Sequence, residues 1–142
     1  MGGRTLKLVA HGVAHTDSDL SIYDDKTQTL WLSDLLFMGR IPVIDGSLKG
    51  WLAELADLKK TTARLVIPGH GPVNAKWPAA LEDELNYLNG LKTAAGKAVR
   101  EGKTLEFALD NIGVPVGSTW LLGDEFHKRN VSKAFAELEW DE

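Results

Sequence analysis

Three residues could do chemistry together: His15, Asp34 and His70. Neutral imidazole and carboxylate suit zinc, and also iron or manganese, where no thiolate is at hand. The chain has no cysteine, so any metal must be held by His, Asp or Glu. An aspartate has two oxygens and can bridge two ions a few ångströms apart. Two such ions can activate water at neutral pH and polarise a carbonyl or phosphoryl oxygen. Taken one at a time the three residues also have plain readings. A lone histidine is most often structural, an aspartate after a strand is most often a turn or cap residue, and "PGHG" can be a simple turn.

The elements that must position them can be read from periodicity. Residues 5–10, "TLKLVA", alternate like a strand. Residues 19–24 and 29–33 flank the turn-like "DKTQ" and predict a β-hairpin. Residues 35–46, with Gly39, Pro42 and Gly46, predict a long loop containing an extended piece. Ser47 can cap a helix in which Leu48, Trp51, Leu52, Leu55 and Leu58 share a face. Residues 64–67, "RLVI", predict a short buried strand cut by Pro68-Gly69. From Pro78 the pattern is helical, with a core stripe at Leu81, Leu85, Leu88 and Leu91, and a stop at Gly102. Thr104 can cap a short helix to Ile112. A last helix over 124–139 would turn Phe126, Val131, Phe135 and Leu138 inward. His15, Asp34 and His70 each closely follow a predicted strand. If those strands are neighbours, their ends share one edge and the three side chains can meet there.

Composition narrows the function. The 142 residues are 44% hydrophobic and 25% charged, enough for one domain with one core. The net charge is −4 with no long run of one sign, which argues against a nucleic-acid surface or a polybasic membrane patch. No apolar stretch approaches the roughly 20 residues of a membrane span, and the start lacks the apolar core of a signal peptide. The absence of cysteine says little about compartment.

The words around the three residues are more specific than their spacing. "AHTDSDLSIYD", then "LWLSDLLF", then "VIPGHGPV" resembles the second half of the metallo-β-lactamase superfamily in order, spacing and flanking hydrophobics. "IPVIDGSLKGWL" and "FHKRNVSKAFAELEW" look like one branch of it, the quinoprotein-relay and sulfur-oxidation-associated zinc metallohydrolases. The resemblance implies an α/β fold of mixed sheet and helices, the C-terminal half of an αββα sandwich. It implies that His15 completes the first metal site, that Asp34 bridges both metals and that His70 ligates the second. It implies two zinc ions, a small-molecule substrate and attack by a metal-bound hydroxide on an ester, thioester or amide-like carbonyl. The branch also suggests a periplasmic parent. Ser33 departs from the glycine usual before the bridging aspartate.

The superfamily's H-x-H-x-D-H motif is absent from this sequence. The expectation is therefore a single partial domain over residues 1–142, inactive alone, with no catalytic residue to name because the general base would come from that motif. A half-sandwich would also expose the inner face of its sheet, and exposed apolar patches usually mark interfaces. This predicts a homo-oligomer or a partnership with a separate N-terminal half. A non-catalytic interaction module of that kind is one rival; an iron-dependent redox member of the same fold is another.

Other polar residues receive plainer expectations. His11 is read as a supporting or exposed residue rather than a ligand. Asp17 and Asp19 could orient His15 or form a solvated turn. Asp45 is read as a turn or helix-entry residue, and His127, beside Lys128 and Arg129, as part of an exposed helix face. Trp51, Trp77, Trp120 and Trp140 are expected to be packing anchors.

Overall fold

The computed structural model describes residues 2–114 and 120–140. Four strands form one sheet in the order β1 (Leu6–Ala10), β2 (Leu20–Asp24), β3 (Thr29–Phe37), β4 (Leu65–His70). The first three run antiparallel to their neighbours, and β4 runs parallel to β3. A parallel pair needs a crossover. Here it carries helix α1 (Leu48–Leu58). A 3₁₀ turn at Ala79–Leu81 leads into α2 (Glu82–Arg100), followed by α3 (Leu105–Asn111) and α4 (Gly123–Glu139). No described helix is long and apolar enough to cross a membrane.

Two segments differ from the sequence reading. β3 does not stop at residue 33; it continues to Phe37 through irregularities around Ser33. Ser33 sits at φ +52°, in the left-handed region, so the strand is re-aimed rather than ended. β4 is not cut by Pro68-Gly69 either, and it pairs with β3 as far as His70. β4 lies at the sheet edge, where a proline's missing N–H forfeits little of the ladder. The helices match expectation closely. Ser47 Oγ accepts from Gly50 N at 2.9 Å and caps α1. Thr104 Oγ1 accepts from Phe107 N and caps α3. Gly102, at φ +63°, follows the end of α2.

Alternation decides which sheet face is covered. Leu30, Leu32 and Val66 point to one face and join the buried cluster that includes Trp51, Leu55 and Leu58 of α1. Leu81, Leu88 and Leu91 of α2 and Val131 and Phe135 of α4 complete that core. The opposite face carries the register partners Leu8, Ile22, Trp31 and Ile67. It stays open: Leu8 is 63% exposed, and Leu6, Leu20 and Trp31 are exposed too. α4 also caps α1, because Glu137 accepts from Ser47 Oγ, Leu48 N and Lys49 N. Of the tryptophans, Trp51 is fully buried and Trp77 and Trp120 are partly buried. Trp140 is 89% exposed and anchors nothing, since it lies one residue beyond the last turn of α4.

Candidate metal centre

The site grows from three chain segments. His15 lies in the loop between β1 and β2, Asp34 lies within β3 just past its left-handed residue, and His70 ends β4. The parallel pairing of β3 and β4 brings Asp34 and His70 to one end of the sheet. His70 Nε2 is 3.4 Å from Asp34 Oδ1. His15 Nε2 is 3.8 Å from Asp34 Oδ2. The two imidazoles thus face different oxygens of one carboxylate.

His15 is the more buried of the two histidines. Its Nδ1–H donates to the Val43 carbonyl at 2.6 Å, which leaves the Nε2 lone pair facing Asp34. Its own carbonyl accepts from Asp45 N and Gly46 N, and Ala14 O accepts from Ser47 N. Gly46 permits this approach: a β-carbon there would lie 2.5 Å from Ala14 O. Asn130 holds both sides of Val43, since its Oδ1 accepts from Ile44 N and its Nδ2 donates to Pro42 O. A second-layer carbonyl that fixes the ring and tautomer of a metal histidine is the usual support for such a ligand. Asp19 instead binds Thr16 through its N–H and hydroxyl, and Asp17 is exposed, so neither orients His15. Asp45 pairs with Arg129 of α4.

Phe37 packs against both imidazoles. Its ring centroid lies 5.3 Å from that of His15 and 4.7 Å from that of His70. Its backbone N–H donates to Oε1 of Glu84, a fully buried carboxyl whose Oε2 has no partner among the described residues. Burial pushes the Glu84 pKa well above the ordinary glutamate value, and the single N–H bond only partly opposes this. Gly69 allows Asp34 to sit where it does. A β-carbon at Gly69 would lie 2.1 Å from Asp34 Oδ1 and 2.6 Å from the Ser33 carbonyl.

Sequence reasoning did not single out Phe37, Val43, Gly69, Glu84 or Asn130. Glu84 left a trace: it stands three residues after Leu81 and four before Leu88, on the core stripe, where a charged residue is out of place. Two histidines also differ from expectation. His127 is buried rather than on an exposed face; its Nε2–H donates to Ile112 O and its Nδ1 accepts from Tyr87 O–H. The α3–α4 packing covers that side of α4, which local charge did not reveal. The His11 side chain is also buried, and it bonds Glu54 and Ser21.

The donor chemistry fits a shared carboxylate between two cations, with one histidine for each. No three His, Asp or Glu side chains among the described residues gather around a single point. Each ion would therefore take two donors from these residues, fewer than the three of a catalytic zinc site.

No family model matches the chain, and no curated protein does. Solved structures do. A metallo-beta-lactamase from Pontibacter korlensis matches at 24% identity with a TM-score of 0.55, over 63% of this chain and 43% of that one. A metallo-beta-lactamase family protein from Thermus thermophilus matches at 19% identity and TM-score 0.68, over 97% of this chain and 44% of that one. A double mutant of a sec-alkyl sulfatase matches at 18% identity and TM-score 0.65, over 92% of this chain and 23% of that one. The chain spans less than half the length of each of these proteins. Its mixed four-stranded sheet and helices have the metallo-β-lactamase fold.

Proposed function

We propose that this chain supplies His15, Asp34 and His70 to a two-zinc centre of a metal-dependent hydrolase. The substrate class is a small molecule with an ester, thioester or amide-like bond. The observation that carries this is the pairing of His15 Nε2 and His70 Nε2 with opposite oxygens of Asp34. Bound zinc supplies Lewis acidity and a water-derived nucleophile at neutral pH. The residues of this chain hold and orient. Val43 O keeps the Nε2 lone pair of His15 free for a cation, Gly69 seats Asp34, and Phe37 packs against both imidazoles.

Two donors per ion call for more, and the open sheet face offers a surface on which a segment bearing them could sit. Leu6, Leu8, Leu20 and Trp31 form an exposed apolar surface on the sheet that carries Asp34 and His70. A second polypeptide segment seated there, from another copy or from a separate chain bearing the H-x-H-x-D-H motif, would cover that surface and complete the ligand sets. The 142 residues alone are then a weak metal binder with little hydrolytic activity.

The deciding experiment measures zinc, iron and manganese per chain by elemental analysis after dialysis, with the mass in solution taken on the same sample. Zinc that falls in His15→Ala, Asp34→Ala and His70→Ala supports the proposal. Metal content unchanged by all three substitutions overturns it. Iron in place of zinc would replace hydrolysis with redox chemistry, because zinc has no redox chemistry.

A further inference from the structure

A second set of chemistry-bearing side chains lies on the helix-covered side of the sheet. The Ser21 hydroxyl donates to His11 Nε2 at 2.7 Å, and His11 Nδ1–H donates to Glu54 Oε2 at 2.7 Å. The three residues come from β2, the loop just after β1, and α1. All three border an open groove of about 530 Å³ between the sheet and α1, with Ser21 and the His11 side chain themselves buried at its base. None of them belongs to the His15, Asp34 and His70 set.

We propose that Ser21, His11 and Glu54 form a metal-independent acyl-transfer site for small carboxylic esters. The order of the hydrogen bonds is that of nucleophile, base and orienting carboxylate, which is recognised by geometry rather than by position in the chain. Glu54 fixes the tautomer: accepting from Nδ1–H leaves the Nε2 lone pair for the serine hydroxyl. Its other oxygen accepts from Gly12 N at 2.9 Å, so the carboxylate is held at both ends. The His11 bond, helped by that N–H, keeps the Glu54 pKa below the ordinary range against the effect of burial. The groove suits an apolar acyl group, with Val9, Leu30 and Leu58 on its walls. Lys7 lies on the same wall, its ammonium over the Tyr23 ring.

The steps balance without a further reagent. Ser21 Oγ bonds to the carbonyl carbon as its proton passes to His11 Nε2. The ester C–O bond breaks, and the alcohol leaves with that proton. Water then attacks the acyl-serine and gives a proton to His11, which returns it to Ser21 Oγ as the acid departs.

The test uses a fluorophosphonate probe and p-nitrophenyl butyrate on the full chain in excess EDTA. The expected result is one adduct per chain, mapped to Ser21 by peptide mass spectrometry, with ester turnover. Ser21→Ala and His11→Gln should abolish labelling. Glu54→Gln should slow it about 100-fold or more, as loss of the orienting carboxylate does in known triads. Mapping on the unsubstituted chain needs no variant to fold. No adduct on a chain shown to be folded by circular dichroism, an adduct on another serine, or labelling unchanged in His11→Gln would each overturn the proposal.

Discussion

Glu84→Gln tests whether a neutral carboxyl is built in behind Phe37, beside His15 and His70. Glu84 is fully buried, and its only hydrogen-bond partner among the described residues is the Phe37 N–H. Desolvation therefore holds its folded pKa well above 4.5. The unfolded glutamate ionises near 4.5 while the folded one keeps its proton to higher pH. Between those two values the native state binds more protons than the unfolded state, so stability falls as pH rises, by about 1.4 kcal/mol per pH unit. The contribution is complete below 4.5 and gone above the folded pKa. Glutamine keeps the acceptor for Phe37 N and cannot ionise. The variant should thus gain on the parent as pH rises above the ordinary glutamate value, with a difference that starts near its smallest value and then climbs at up to that slope. Titrations elsewhere in the chain cancel in the comparison. Urea unfolding followed by circular dichroism at half-unit pH intervals measures it. A domain of this kind has roughly 5–15 kcal/mol in total, so a difference that climbs at that slope shows in the midpoint. Parallel curves for the two proteins across that pH range would refute the reasoning, for they would mean that Glu84 ionises in the native state as easily as in the unfolded one.

Other expectations concern the site directly. Gly69→Ala should displace Asp34 or the Ser33 backbone, costing about 1–3 kcal/mol of stability as overpacking does, and should weaken zinc binding; equal zinc affinity by competition with a chromophoric chelator would refute this. Ser33→Gly should stabilise by about 0.5–1 kcal/mol, the relief of a left-handed residue less the backbone entropy of glycine, read as a rise in the urea midpoint. Asn130→Ala releases both sides of Val43 and should lower zinc affinity about 10- to 100-fold through His15, while His70→Ala removes a ligand outright; isothermal titration distinguishes the two.

Much of the arrangement was legible in the residues themselves. Alternating "LSIYD" and "TLWLS", the cap at Ser47 and the leucine stripe of α2 are local signals, because period and capping act within a few residues of the chain. His15, Asp34 and His70 were picked out by their flanking words, and the structure sets each imidazole beside an oxygen of Asp34. Less was visible where the chain's path is set by distant contacts. The extension of β3 past Ser33 and of β4 through Pro68 depends on pairing between strands far apart in the chain, which local propensity does not register. His127 reads as exposed beside two cations, yet α2 and α3 bury it.

The sequence by itself determined which residue types were available: histidines and aspartates where strands end, no thiol, and a half-apolar sheet. Only the tertiary structure decided how they face one another. It placed His15 and His70 on opposite oxygens of Asp34, set Asn130 behind Val43, and joined Ser21, His11 and Glu54 from three elements. The physical reason is that side-chain chemistry is local, while hydrogen-bond contact between residues roughly forty positions apart, as between His11 and Glu54, is set by strand pairing and helix packing, which only the whole fold specifies.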